Sequence, residues 1–162
     1  MSPARSKAVD KREYAAFIQA AAALGVAVVR DEPLARHCTF RIGGPADLYA
    51  AVCDIGSLER MGNLAAEGGL PVTILGGGSN VLISDRGVRG LVVANQTREI
   101  RLSEPDWGMM ADSGVALAGL ARWAIQQGRS GLEWAVSVPG TVGGAVIGNA
   151  GAHGGQIADN LA

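Results

Sequence analysis

Apolar positions recur at helical spacing over residues 11–24, where Tyr14, Phe17, Ile18, Ala21 and Ala22 form one stripe and Gly25 stands at the expected stop. Residues 26–29 form a short apolar run, and the charged Arg30, Asp31, Glu32 and Pro33 after it predict a break in regular structure. Leu48, Ala50 and Val52 alternate with their neighbours and predict a strand over 46–52. A helix then opens with Ser57 as its N-cap, turns Leu58, Met61, Leu64 and Ala65 inward, and ends at Gly68 and Gly69. Residues 71–75 read as a buried strand, 81–83 as a second, 84–87 as a turn and 91–94 as a third strand.

A second unit is expected to begin near Asn95. Residues 99–102 and 107–111 read as two strands joined through 103–106. Residues 115–127 read as a helix with Leu117, Leu120, Ala121, Ala124 and Ile125 on its apolar face and Gly128 behind it. No internal repeat or flexible linker interrupts the pattern. Strand, helix, strand, loop and strand in this order predict a mixed α/β layer rather than a helical bundle.

Composition narrows the function. The 162 residues carry 14 basic and 15 acidic side chains, which excludes a nucleic-acid footprint and a membrane-surface patch. No apolar stretch approaches the roughly 20 residues of a membrane span, and residues 1–7 lack a secretory h-region, so a cytoplasmic protein is expected. Cys38, Cys53, His37 and His153 have no metal-binding spacing, and both cysteines read as reduced core or near-core residues. Asp54, Glu59, Arg60 and Glu67 read as the solvated face of a helix, Glu133 as an exposed carboxylate and His153 as a loop residue.

Glycine is the outlier, 24 residues, roughly twice the usual share of about 7%. Gly76, Gly77, Gly78, Ser79 and Asn80 sit between apolar runs, where successive amides can form an anion-binding nest beside two side-chain donors. A ligand-free hairpin turn is the alternative. The loop is neither the dinucleotide fingerprint, since Val81 stands at the third glycine position, nor a P-loop, since no Gly-Lys-Ser/Thr is present. Residues 139–144 and 148–151 add a second run of small residues with accessible amides. Two such runs suggest a ligand with an extended polar spine, such as a dinucleotide, gripped from both sides.

At these loops the sequence resembles the UDP-N-acetylenolpyruvoylglucosamine reductase family, also called UDP-N-acetylmuramate dehydrogenase. The resemblance is carried by Thr39-Phe-Arg-Ile-Gly-Gly-Pro-Ala46, Ile74-Leu-Gly-Gly-Gly-Ser-Asn-Val-Leu-Ile83, Arg89-Gly-Leu-Val-Val93 and the ordered segments Gly131-Leu-Glu, Pro139-Gly-Thr-Val-Gly-Gly-Ala and Asn149-Ala-Gly-Ala-His-Gly-Gly155. It implies a cytoplasmic bacterial oxidoreductase of peptidoglycan synthesis, serving cell-wall biogenesis, cell shape and cell division. Non-covalent FAD would be its cofactor, NADPH its co-substrate and a UDP-sugar enolpyruvyl ether its substrate. The implied fold is α+β: a two-subdomain FAD-binding fold of the vanillyl-alcohol-oxidase or p-cresol-methylhydroxylase type. Its parts would be a lead-in over 1–38, a small mixed α/β subdomain over 39–94 and the start of an antiparallel-sheet subdomain over 95–162.

The resemblance further implies that Gly76, Gly77, Gly78, Ser79 and Asn80 hold the FAD pyrophosphate. Gly140, Thr141, Gly143, Gly144, Ile147 and Gly151 would follow the cofactor toward the flavin. Ser113 and Gly114 fall where the family has an Ala-Gly-rich stretch near the cofactor, and His153 where it has a tyrosine. The family's catalytic arginine, serine and glutamate have no counterpart before Ala162, so no catalytic residue is assigned. An inactive FAD-binding portion is expected, marginally stable or associating by itself. Two alternatives stay open: a non-catalytic nucleotide-binding module, and another flavin oxidase of the same superfamily with flavin attached through His37 or Cys38.

Overall fold

The structure, a computed structural model, describes residues 11–103 and 108–162. Residues 1–7, the 104–106 turn and Trp107, all read from sequence above, lie outside the described residues. Helix α1 (Lys11–Ala23) leads into strand β1 (Val28–Pro33) and a 3-10 turn, Leu34–His37. Then come β2 (Pro45–Val52), α2 (Ile55–Glu67), β3 (Val72–Leu75) and β4 (Val88–Asn95). The four strands make one sheet in the order β1-β2-β4-β3, with β1 antiparallel to β2 and both other pairs parallel.

Strand β4 lies inside the sheet, and Gly90 to Asn95 are buried, as a parallel strand covered on both faces requires. On one face Tyr14, Phe17 and Ala21 of α1 join Met61 and Ala65 of α2 against Leu48, Ala50, Val52, Leu91 and Val93. A second cluster gathers Leu34, Ala46, Tyr49, Leu75, Val92 and Ala94. Ala22, expected on the α1 stripe, is exposed.

Several expectations are corrected here. Arg30 to Pro33 stay within β1, an edge strand, although its regularity is interrupted at Asp31, which takes φ 54° and has no partner in the register. Arg30 lies over the Tyr14 ring at 5.8 Å, and Glu32 accepts from His37 at 2.9 Å. Helix α2 is capped by Asp54, not Ser57: Asp54 accepts from the Ser57 amide and hydroxyl, each at 2.7 Å. Those two bonds hold the Asp54 carboxyl below the usual range. Strand β3 buries only Leu75 and leaves Ile74 53% exposed, because it pairs on one side alone. Residues 81–83 form no strand; Val81 and Ile83 pack side chains against the second cluster without joining a ladder. Cys38 is buried and Cys53 exposed, and both are free thiols.

The remaining chain builds a separate core. Hairpin β5 (Ile100–Ser103) and β6 (Gly108–Ala111) precedes α3 (Leu117–Gln126) and a 3-10 turn, Glu133–Ala135. Helix α4 (Val142–Gly148), hairpin β7 (Gly151–Ala152) and β8 (Gly155–Gln156), and a 3-10 turn, Ile157–Asn160, complete it. Leu117, Leu120, Ala121 and Ala124 of α3 pack with Leu132, Trp134, Ala145 and Ile157, while Ile125 stays half exposed. Helix α4 replaces the open glycine loop expected over 139–151. Thr141 caps its start, Asn149 ends it at φ 42°, and buried Ala145 anchors it.

Asp47 ties α1 to the sheet. Its Oδ2 accepts from the Tyr14 hydroxyl at 2.7 Å and from the Gly90 amide at 3.0 Å, and its Oδ1 pairs with Arg89. The register of β2 on β4 shifts here, and Gly90 takes φ 89° with its α-carbon against Pro71. Burial, then the Asp47 acceptor, raise Tyr14 from 10.0 to about 12. The folded-state value exceeds the unfolded one, so this contribution is whole below pH 10 and is lost as pH rises toward 12. Denaturant titrations should show wild type losing roughly 1 kcal/mol more than Tyr14→Phe between pH 9 and 11. Equal losses in the two proteins would refute this account.

Candidate cofactor site

Residues 76–80 leave the C-terminal end of β3 at the sheet edge. Backbone amides in folded chains nearly always find an acceptor. Yet none of the amides of residues 76–83 donates to any described residue, nor do the Ser79 hydroxyl and the Asn80 carboxamide. Gly78 adopts φ 64° inside this run, the left-handed turn that lets neighbouring N–H groups converge in a nest. A row of unused donors is what a phosphate or pyrophosphate requires.

The second glycine run lies against the first. A Cβ on Gly76 would stand 2.3 Å from Thr141 Oγ1, and one on Gly140 would stand 3.0 Å from Ser79 Oγ. A third segment closes the back: the Thr39 amide donates to the Gly78 carbonyl at 3.0 Å, and a Cβ on Gly78 would meet the His37 carbonyl at 2.0 Å. Glycine at 76, 78 and 140 is therefore demanded by close packing, against the Thr141 and Ser79 hydroxyls and the His37 main chain. Gly77 differs, since a Cβ there would find nothing nearer than Gly140 Cα at 3.6 Å.

Ser113 and Gly114 belong to the same junction. The Asn95 carboxamide donates to Ser113 Oγ at 2.7 Å, the Gly143 amide donates to the Ser113 carbonyl at 2.8 Å, and a Cβ on Gly114 would meet the Thr97 carbonyl at 2.6 Å. Asn95 and Thr97, both buried, were not singled out from the sequence. Their one signal is polarity at the end of an apolar strand. The expectation of accessible amides fails over 142–144: Val142 donates to Val115, Gly143 to Ser113 and Gly144 to Thr141 Oγ1. Ile147 stands 91% exposed on α4, and Gly151 is committed to the β7–β8 hairpin, with Gly155 and Gln156 as its close neighbours.

The weaker candidates have other partners. His37 bridges Glu32 at 2.9 Å and Tyr49 at 3.1 Å, and Cys38 directs its buried thiol to the Ile42 carbonyl at 3.2 Å. Glu133 accepts from the Gly131 amide, and exposed His153 lies in the β7–β8 turn. Among the described residues no group of three His, Cys, Asp or Glu could hold a metal, and no helix is long and apolar enough to cross a membrane. A groove of about 380 Å³ between α1 and α2, lined by Tyr14, Phe17, Leu64 and Leu70, is remote from the glycine loops in its lining and is apolar.

The profile described as FAD binding domain matches residues 46–162, which include both glycine runs. The chain belongs to this FAD-binding family. UDP-N-acetylenolpyruvoylglucosamine reductase 2 of Symbiobacterium thermophilum is 47% identical over 133 residues, covering 82% of this chain and 43% of the relative. The reductase of Heliobacterium modesticaldum is 44% identical over 131 residues, covering 80% and 41%. The chain thus spans less than half the length of these curated relatives. Among solved structures, the UDP-N-acetylenolpyruvylglucosamine reductase of Thermus caldophilus aligns with a TM-score of 0.64 at 34% identity, over 83% of this chain and 46% of that one. p-Cresol methylhydroxylase aligns over 74% of this chain and 26% of that one, with a TM-score of 0.53 at 12% identity, and shares the fold alone. The α+β fold is thus shared with these solved structures.

Two neighbouring glycines separate packing from ligand contact. Gly78→Ala should destabilise the apo chain by roughly 1–3 kcal/mol, since its methyl meets backbone at a positive φ. Gly77→Ala should leave apo stability within about 0.5 kcal/mol of wild type yet weaken FAD about tenfold, because its methyl enters the nest. Thermal melts and flavin-fluorescence titrations measure both. Unchanged FAD affinity in Gly77→Ala would exclude cofactor from this loop.

Proposed function

We propose that this chain is the FAD-binding part of a UDP-N-acetylenolpyruvoylglucosamine reductase acting in peptidoglycan synthesis in the cytoplasm. The observation that carries the reading is the run of undonated amides over 76–83, in which Gly76, Gly77 and Ser79 lie against Gly140 and Thr141. Identity of 44–47% to reductases of that name supplies the substrate class. On this reading residues 39–94 form one subdomain, with the described part of the 1–38 lead-in packed on it, and 95–162 form the other.

In this reading Gly76, Gly77, Gly78, Ser79 and Asn80 hold the pyrophosphate through backbone N–H groups and side-chain donors. FAD, when bound, supplies hydride transfer from NADPH to the enolpyruvyl double bond of the UDP-sugar. Thr141 and Gly140 set how closely the second subdomain approaches the pyrophosphate loop. Asn95 and Thr97 fix Ser113 and Gly114, which hold Gly143 at the mouth of α4. Ile147 offers an apolar side chain for the flavin flank, and Gly144 and Gly151 give the backbone small residues along the same path. Buried Cys38 and doubly hydrogen-bonded His37 are poorly placed for covalent attachment, which favours dissociable flavin.

The purified chain should bind FAD, raise its thermal midpoint with FAD concentration, and release all flavin to the supernatant on acid precipitation. In the whole protein, NADPH oxidation should depend on UDP-N-acetylglucosamine enolpyruvate. Flavin left attached to precipitated protein would favour the covalent oxidase reading. Failure of both chain and whole protein to bind FAD would end the proposal.

A further inference from the structure

The segment 38–44 runs along the outer side of the pyrophosphate loop. Thr39 donates to Gly78, the Gly44 amide donates to the Ser84 carbonyl at 2.9 Å, and a Cβ on Gly43 would lie 2.7 Å from that of Ile83. At its middle Arg41 takes φ 55°, a conformation that glycine or asparagine adopts readily and arginine does not. The turn is held shut by the Arg41 amide donating to the Cys38 carbonyl at 3.1 Å and by the Cys38 thiol on the Ile42 carbonyl.

The Arg41 side chain is exposed and makes no hydrogen bond or ion pair with any described residue. Arg36, Arg89 and Arg101 pair with Glu32, Asp47 and Glu99; Arg86 and Arg98 are exposed with unpaired guanidinium groups like Arg41, but neither takes a left-handed φ. Asp85, the acidic residue of the facing segment, does not pair with Arg41 either. An uncommitted guanidinium thus sits on a left-handed turn beside a row of uncommitted amides. Amides supply hydrogen bonds but no net charge, whereas a pyrophosphate diester is a dianion. The planar, permanently charged fork of arginine matches phosphate oxygens in pairs.

We propose that Arg41 is a phosphate-binding residue whose guanidinium neutralises the dinucleotide pyrophosphate held on the amides of 76–83. This rests on the FAD reading above. It also accounts for an arginine at a backbone position suited to glycine, on a segment hydrogen-bonded to Gly78 of the loop.

The test is FAD titration of the chain by flavin fluorescence at increasing NaCl. Arg41→Gly suits φ 55° and keeps the turn, so its melting temperature without FAD should equal or exceed wild type. Its FAD affinity should fall on the order of tenfold, with a shallower dependence on salt. Arg41→Gln, which keeps the left-handed strain, should show the same loss and the same shallower salt dependence, and Arg41→Lys should recover part of both. If wild type binds FAD and both uncharged variants bind within twofold of it, with the same salt dependence, the assignment is overturned and the FAD reading stands. A wild-type chain that binds no FAD overturns the two together.

Discussion

The junction of three backbone segments at Gly76, Gly78 and Gly140 is the constraint on which the rest of the molecule depends. Residues 37–39, 76–80 and 139–141 approach so closely that a methyl group on any of the three glycines would stand within 3.0 Å of a neighbour. Gly78 meets the His37 main chain, while Gly76 and Gly140 meet the small hydroxyl side chains of Thr141 and Ser79, so there is no room for a bulkier residue where the two cores join. Strand β3 delivers one segment from the sheet, and Thr141 delivers another from the cap of α4. The Thr141 hydroxyl serves both, accepting from Gly144 while standing against Gly76.

The two glycine runs, similar as strings, do different work. In the first, amides are left without acceptors and point to an anion. In the second, amides are consumed by Val115, Ser113 and Thr141, which lash α4 to the segment ahead of α3. The asymmetry gives the site a donor wall and a spacer wall. A dinucleotide held this way is bonded mainly from one side and shaped from the other.

Much of this was legible in the chain, for identifiable reasons. Helices α1 and α3 and strand β2 announced themselves because one face of each meets a core, which imposes periodicity on Tyr14, Phe17 and Ala21 or on Leu117, Leu120 and Ala121. Strand β1 was hidden because an edge strand does not need apolar residues. Helix α4 was hidden because its glycines answer to packing against Ser113 rather than to helical preference. Residues 81–83 are apolar enough for a strand, but their burial comes through side chains alone. The glycine loops of the site were readable as motifs. Asn95 and Thr97 were not, since their roles depend on partners far away in sequence, and Arg41, though inside a recognisable motif, takes a backbone angle that composition does not encode.

The sheet and the family match begin at different places. The FAD-binding profile starts at residue 46, inside β2. Asp47, one residue later, takes its hydroxyl donor from Tyr14, and β1 covers the outer edge of β2 from Val28 to Pro33. A fragment cut at the family boundary would therefore bare a run of unpaired strand groups and take from the part-buried Asp47 carboxylate its Tyr14 donor, leaving it Arg89 and the Gly90 amide. The structural unit is larger than the region the profile matches, by the 35 or so described residues that precede residue 46.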